Sequence, residues 1–244
     1  MSVVILIALT FLLAGLVKGV IGLGLPTVAI GLLSLVMAPA HAAALLIVPS
    51  LVTNVWQLLA GPRFGGLLRR LWAMMVGICV GTWAGAGLLT ADTSGRAVTG
   101  LGLALIVYAG VGLASVRLAV PRGAQPLLSP LIGAATGLVS AATGVFVIPA
   151  APYLQALALD KEDLIQALGL SFTVSTLALA VSLGLDGAFQ PAIAGMSLLA
   201  LAPALGGMLF GQWVRARVRP AVFRVCFFVG LLALGAHLAL HTLI

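Results

Sequence analysis

The sequence predicts an all-α polytopic membrane protein with about eight to ten transmembrane segments in two inverted repeats with broken helices. Composition is the first reason: 62% of the 244 residues are hydrophobic and 7% are charged. A soluble domain is about 45–50% apolar and about 25% charged. The second reason is a block of glycines that occurs twice, each time where one apolar segment gives way to the next.

Apolar segments follow one another along almost the whole chain, and an upright spanning helix needs about 20 such residues. The predicted segments cover residues 3–20, 25–38, 41–60, 70–90, 97–116, 128–142, 145–157, 164–185, 190–213 and 221–241. The second and the seventh are too short for an upright span. Each is therefore predicted to form a broken or re-entrant pair with the segment before it.

The repeated block predicts where the helices break. Its members are Gly15, Gly19, Gly22, Gly24 and Pro26 in the first copy, and Gly133, Gly137, Gly144 and Pro149 in the second. Glycine and proline interruptions at matching positions of two halves are typical of transporter binding sites. The reason is that broken helices expose backbone N–H and C=O groups at membrane depth, where they need polar partners.

The two halves are predicted to be residues 1–118 and 130–244, joined by a cytoplasmic linker over 119–129. A second match supports this division and predicts close helix packing: Gly77, Gly81 and Gly85 recur as Pro203, Gly207 and Gly211.

Arginines predict the orientation of the chain, because cytoplasmic loops carry an excess of Lys and Arg. Three connections hold nine of the ten arginines: Arg63, Arg69 and Arg70; Arg117 and Arg122; Arg215, Arg217, Arg219 and Arg224. If each broken pair counts as two crossings, all three connections face the cytoplasm and both termini face outside. An odd number of segments per half makes the halves inverted.

Lys18 lies in the first apolar segment, beside the glycine break. An ammonium in hydrocarbon costs about 3 kcal/mol on insertion scales. Lys18 therefore faces a cavity, finds a polar partner or reaches the membrane interface. In the first case it would attract an anion, assisted by the positive end of a helix that starts near Pro26.

A polar stripe on the third segment, formed by Ser50, Thr53, Asn54 and Gln57, is the second candidate feature. Spacings of three and four residues place its members on one helix face, which would turn toward the bundle interior to form either a substrate site or hydrogen bonds between helices. The complete predicted substrate-binding set is Lys18, Gly22, Gly24, Ser50, Thr53, Asn54, Gln57, Ser140, Thr143, Gly144 and Ser171.

Several function classes are disfavoured. The acidic residues Asp92, Asp160, Glu162, Asp163 and Asp186 all fall in predicted loops or at segment ends. This argues against a cation carrier or a buried carboxylate relay. No His-Glu-x-x-His motif occurs, and the two cysteines form no metal motif. We therefore expect no enzymatic activity, no catalytic residues, no metal and no cofactor.

The duplicated glycine block, the apolar segments and the stretch Pro-Ser-Leu-Val-Thr-Asn-Val-Trp-Gln at 49–57 together resemble the TauE/SafE family of membrane permeases. The resemblance covers nearly the whole chain. It implies a secondary transporter of the cell inner membrane that moves small anionic sulfur compounds such as sulfite or sulfonates.

The predicted function is alternating-access transport of a small anion, such as sulfite, a sulfonate or a related organosulfur or organic anion. An anion channel and a non-transporting membrane assembly factor are the alternatives. The expected partners are the anionic substrate and the lipid bilayer, with a homodimer left open and no nucleic acid, since the basic residues lie in short loops.

Overall fold

The computed structural model describes residues 3–91, 95–114, 119–217 and 220–241. Within these ranges the chain forms ten α-helices and no strand. They are α1 (Val3–Ile21), α2 (Leu25–Leu33), α3 (Pro39–Leu59), α4 (Phe64–Ala84), α5 (Arg96–Ala114), α6 (Gln125–Thr143), α7 (Ala150–Ala156), α8 (Lys161–Leu185), α9 (Pro191–Arg215) and α10 (Pro220–His241), with a 3₁₀ turn at Arg122–Ala124. Asp92, Arg117 and Arg219 lie outside the described residues.

The prediction of an all-α membrane protein is confirmed. Eight of the helices in the described ranges are long and apolar enough to cross a membrane. The two exceptions are α2 and α7, with 9 and 7 residues, as their short apolar segments predicted. Large apolar side chains such as Leu127 and Leu199 are 70% and 72% exposed, which suits contact with lipid. The chain is therefore a multi-pass membrane protein.

Helix α4 differs most from its predicted segment. It begins at Phe64 and ends at Ala84, whereas the sequence placed it at residues 70–90. The predicted start avoided Arg69 and Arg70, but both arginines lie in the first turns of the helix. Long basic side chains can lie along apolar surface while the charged group reaches water, so these two residues do not delay the helix.

The predicted breaks occur at glycines with left-handed backbone. Helix α1 ends at Ile21 and is followed by Gly22 and Gly24, with φ angles of 84° and 105°. Helix α6 ends before Gly144, with φ of 75°. Residues with a Cβ rarely adopt this conformation, so glycine is required there. Pro26 then occupies the first turn of α2, where its missing N–H costs nothing.

Helix α1 packs on α9, and α4 packs on α6, with backbones in direct contact. A Cβ at the glycines that line these contacts would collide with the partner backbone. The contacts are Gly15 with Ala204 and Met208, Gly19 with Met208 and Gln212, Gly133 with Met74 and Ile78, and Gly137 with Ile78 and Thr82. Corresponding glycines of the two copies thus face α9 and α4 in the same manner.

The register of this correspondence differs from the one read in the sequence, which paired Gly77 with Pro203. Gly77 contacts Pro130 and Ala134 of α6, and Gly207 contacts Leu12 and Leu16 of α1. The structural counterpart of Gly77 is therefore Gly207, one helical turn further along α9. Small residues recur every four positions in this stretch, so only the partner helix distinguishes the two registers.

The order of contacts gives the relative directions of the helices. Gly15 contacts Ala204, and Gly19, further along α1, contacts Gln212, so α1 and α9 are parallel. By the same criterion α4 and α6 are parallel. Helices α3 and α8 are antiparallel, and so are α5 and α10. The contacts that establish this are Ser50 with Thr176, Leu58 with Gly169, Gly102 with Ala239 and Gly112 with Phe228.

Short connections complete the topology. Residues 60–63 reverse the chain between α3 and α4, and residues 186–190 do so between α8 and α9. Consequently α3 runs in the same direction as α1, whereas α6 and α8 run against both. The short helix α2 returns the chain between α1 and α3, and α7 does the same between α6 and α8.

These directions bring basic residues to one end of the bundle. Arg63 and Arg70 lie at the start of α4, Arg122 precedes α6, and Arg215 ends α9. We call this the arginine-rich end. Lys18, near the end of α1, lies toward the same end. The opposite end holds the break at Gly144, because α6 is antiparallel to α1.

Proline 49 is accommodated inside α3 by a neighbouring helix. Proline has no N–H, so the carbonyl of Leu45 loses its usual donor. The hydroxyl of Ser197 on α9 donates to that carbonyl at 2.7 Å and accepts the N–H of Val48 at 3.1 Å. The bundle thus satisfies the backbone groups that the proline frees, as a membrane interior requires.

We expect Gly137→Ala to destabilise the protein by about 1–3 kcal/mol, because the new methyl group would meet the α4 backbone at Ile78 and Thr82. The matched control is Gly110→Ala, which lies in α5 with open space around it. Thermal unfolding in detergent should give a lower midpoint for Gly137→Ala alone. Equal midpoints would contradict the backbone contact.

Candidate functional site

A cavity of about 350 Å³ lies beside the first helix break, toward the arginine-rich end. Its polar lining comes from five helices: Lys18, Thr53, Gln57, Gln155, Lys161, Gln212 and Arg215. Three of these side chains are cationic, and none of the described residues that line the cavity is acidic. Clefts with one sign of charge concentrate ions of the opposite sign, so this cavity favours anions.

Lys18 is the buried cation of the cavity, with 6% of its surface exposed. Its ammonium donates to Thr53 Oγ1 at 3.0 Å and to Asn54 Oδ1. Both acceptors are neutral, and Lys18 has no carboxylate partner among the described residues. An ammonium has three donors, so one N–H remains for a ligand. The sequence left three environments open for Lys18: a cavity, a polar partner or the membrane interface. In the structure Lys18 has the first two.

Further hydrogen bonds hold the two acceptors of Lys18. Thr53 Oγ1 donates to the carbonyl of Pro49 at 2.7 Å, which directs an oxygen lone pair toward the ammonium. Asn54 Nδ2 donates to Ser50 Oγ at 3.0 Å and to Thr176 Oγ1 at 3.4 Å. The Ser50 and Thr176 hydroxyls lie 3.3 Å apart. This network fixes the amide of Asn54 and joins α3 to α8.

Gln57 connects the cavity to the helix break. Its Nε2 donates to the carbonyl of Gly22 at 3.2 Å, while its Oε1 is buried without a hydrogen-bond partner in the described part of the chain. The N–H of Gly22 donates to the carbonyl of Lys18 at 2.7 Å, and the N–H of Gly144 donates to the backbone carbonyl of Ser140 at 2.7 Å. Both glycines belong to the predicted substrate-binding set, and in this conformation their amides are occupied by these bonds.

The predicted residues divide into those that line the cavity and those that do not. Lys18, Gly22, Thr53 and Gln57 line it. Ser50 and Asn54 lie behind them in the network. Gly24 instead contacts Val17 and Phe227, at the start of α2.

The predicted residues of the second half lie elsewhere. The hydroxyls of Ser140 and Ser171 are buried without a hydrogen-bond partner among the described residues. Thr143 Oγ1 donates to Val139 O at 2.7 Å, within its own helix, and Gly144 packs on Ile30 and Ala43. None of these four residues lines the cavity. The break at Gly144 lies toward the opposite end of the bundle.

Sequence reasoning missed several polar residues of the site. Arg215 was interpreted only as a marker of orientation and Lys161 was assigned no role, although both line the cavity. Gln155, Gln212 and Thr176 were not singled out. The signal available for Thr176 was its place in the polar run at residues 171–176. For Gln155 and Gln212 it was a polar amide near the end of an apolar segment.

Asp163 corrects one expectation about the acidic residues. It lies in the first turn of α8, at a segment end as predicted, but it is buried with 8% exposure. Its Oδ2 lies 3.1 Å from Arg63 Nη1, so the charge is paired where α8 meets the connection between α3 and α4. In the described ranges no group of three or more His, Cys, Asp or Glu side chains could hold a metal ion.

Eight candidate spans, two helix breaks at glycines and a cavity lined by three cations define a multi-pass membrane protein with the features of a transporter. The chain belongs to the sulfite exporter TauE/SafE family, whose family model matches residues 7–238. This confirms the family resemblance and implies a membrane exporter of sulfite or organosulfur compounds. Comparison with curated proteins and with solved structures gives no match.

We expect Thr53→Val to destabilise the protein by about 1.5–3 kcal/mol, because a hydrogen bond to a buried charge is lost. Thr173→Val is the matched control, since Thr173 is also buried but donates only to the carbonyl of Gly169 in its own helix. It should cost about 1 kcal/mol. Thermal unfolding of both variants measures the difference, and equal losses would contradict the role of Thr53 at Lys18.

Proposed function

We propose that this protein is a secondary transporter that moves a small anion across the cell inner membrane by alternating access. The substrate class is sulfite, a sulfonate or a related organosulfur or organic anion. Membership of the sulfite exporter family supports this class. The observation that carries the proposal is a cavity with three cations and no acidic lining residue among those described.

The environment of Lys18 supports an anionic rather than a neutral substrate. Its buried ammonium has neutral hydrogen-bond acceptors, Thr53 and Asn54, and no counter-ion within the described ranges. An anion that enters the cavity supplies the missing negative charge and accepts a hydrogen bond from the free N–H of Lys18. Charge-assisted hydrogen bonds of this kind are about twice as strong as neutral ones. Lys161 and Arg215 are more exposed than Lys18 and would attract the anion at the cavity mouth.

The helix directions support two inverted repeats, residues 1–118 and 130–244, with the linker 119–129 on the cytoplasmic side. Counterpart helices run antiparallel: α1 to α6, α3 to α8, α4 to α9 and α5 to α10. The matched glycine contacts relate the halves in the same way. A pseudo-two-fold axis in the membrane plane produces this relation. Rocking of one half against the other would then give alternating access.

The distribution of arginines supports a cytoplasmic position for the arginine-rich end. The cavity lies toward that end, so this conformation would receive its anion from the cytoplasm. This orientation suits export.

We expect Lys18→Met to abolish the rise in unfolding midpoint that a bound anion produces. A ligand that binds only the folded state stabilises it by mass action, by about 2.7 kcal/mol at a hundred times Kd. Loss of the buried charge should remove about 2–5 kcal/mol of binding free energy. The measurement is thermal unfolding in detergent with sulfite, sulfate, thiosulfate, sulfonates and short carboxylates.

The control for Lys18→Met is Arg122→Gln, which removes one cation at the same end without touching the cavity lining. It should keep the wild-type response to the anion. An undiminished response in Lys18→Met would refute the anion site.

We expect Asn54→Asp to fold but to lose anion transport. A carboxylate at this position would accept the same hydrogen bond from Lys18 and neutralise its charge, so the cavity would no longer favour anions. Asn54→Leu should also lose transport, through loss of the acceptor. The assay is uptake of labelled anion into proteoliposomes, and wild-type uptake by Asn54→Asp would contradict the proposed role of the uncompensated charge.

The same proteoliposomes separate the transporter from its alternatives. A transporter shows saturable uptake and counterflow, whereas a channel passes an ionic current and shows no counterflow. An assembly factor would show neither and would tolerate both Lys18→Met and Asn54→Leu in its cellular role.

A further inference from the structure

We propose that Thr82 and Ser140 line the outward-facing half of the translocation path, which is closed in this structure. The inference rests on the proposed alternating-access function and adds to it the residues of the second access route. Neither residue lines the cavity at the arginine-rich end.

The first observation is that both hydroxyls lack partners. Thr82 and Ser140 are each 0% exposed, and neither side-chain oxygen has a hydrogen-bond partner among the described residues. Hydroxyls of threonine and serine in membrane helices usually donate to a carbonyl one turn back, as Thr136 does to Ile132 at 2.8 Å. A buried polar group without a partner is costly. A second conformation that admits water and substrate would satisfy both.

The second observation is their correspondence with residues of the open cavity. The matched glycine contacts pair Gly19 with Gly137 and Met208 with Ile78. Continued along the same helices, this register pairs Gly22 with Ser140 and Gln212 with Thr82. Gly22 and Gln212 both line the cavity. The two unpartnered hydroxyls therefore lie at the positions equivalent to Gly22 and Gln212 of the cavity lining, each on the opposite half of the chain.

Their location fits an outward path. Thr82 lies near the end of α4, where its backbone meets Gly137, and Ser140 lies one turn further along α6. This contact is toward the end opposite the arginine-rich end, and it is closed by backbone packing. Separation of α4 from α6 would open a passage there, with both hydroxyls on its wall.

The lining of this path differs in charge from the open cavity. The counterpart of Lys18 in the second half is Thr136, and that of Arg215 is Gly85, by the same two registers. The outward path would therefore present a hydroxyl and a glycine at the positions where the inward cavity presents Lys18 and Arg215. An anion held by charge on the cytoplasmic side would meet a neutral exit.

Single cysteines test the proposal in a background with Cys79→Ala and Cys226→Ala. Thr82→Cys and Ser140→Cys are the test positions, and both changes are small. Gln212→Cys reports the inward cavity. Ala109→Cys, buried in α5 with 0% exposure, is the control for a position that neither path reaches. The probe is a membrane-impermeant anionic methanethiosulfonate, which suits a path proposed for anions and is applied to right-side-out and to inside-out vesicles.

We expect Thr82→Cys and Ser140→Cys to react from the outer face at least about tenfold faster than Ala109→Cys, because the outward conformation is populated in a working transporter. Gln212→Cys should react from the cytoplasmic face. Each variant is used only if its unfolding midpoint matches that of the background protein. Failure of either test position to react from the outer face overturns the proposal, as does reaction from the cytoplasmic face alone.

The labelling does not depend on which substrate is carried. If no anion stabilises the protein, the proposed substrate class is contradicted and the labelling result still stands. If anions bind but the cysteines do not react, only the proposed outward path is contradicted.

Discussion

Direct backbone contact between helices is the constraint on which the rest of this structure depends. At Gly15 and Gly19 the backbone of α1 lies against that of α9, and at Gly133 and Gly137 the backbone of α6 lies against that of α4. In a membrane, helices associate through close packing because lipid is as apolar as their side chains. Glycine permits that approach. The contacts fix the position of both helix ends, and so of both breaks.

The first break places a charge where the membrane would otherwise exclude it. Lys18 lies one helical turn before Gly22 and donates hydrogen bonds to Thr53 and Asn54 of α3. The polar network continues through Ser50 to Thr176 of α8. Every member of this network is neutral apart from the lysine. These hydrogen bonds keep the ammonium oriented toward the cavity without neutralising it. Truncating one member of such a buried set would leave the others unsatisfied.

The two halves share a packing plan but differ in chemistry. The same glycine contacts recur in both, yet Lys18 has Thr136 as its counterpart, and Gly22 at the first break has as its counterpart Ser140 in the last turn of α6. Packing constrains the residues at the helix contact to be small, while those beside the break are free to vary. If the proposed alternating access holds, this difference would make one access route cationic and the other neutral.

The sequence by itself determined the membrane class, the number and limits of most helices and the two breaks. The length of an apolar segment and the positions of its glycines and prolines are local features. They can therefore be recognised without knowing which distant residues the segment contacts. It also identified Lys18 and the polar face of α3, because spacings of three and four residues define a helix face. Only the tertiary structure decided that Lys161, Gln155, Gln212 and Arg215 join Lys18 around one cavity. These residues come from helices far apart in the chain, and no local spacing relates them. The register that pairs Gly77 with Gly207 was likewise decided by the helix on which each of them packs, since the recurrence of small residues every four positions fits more than one alignment.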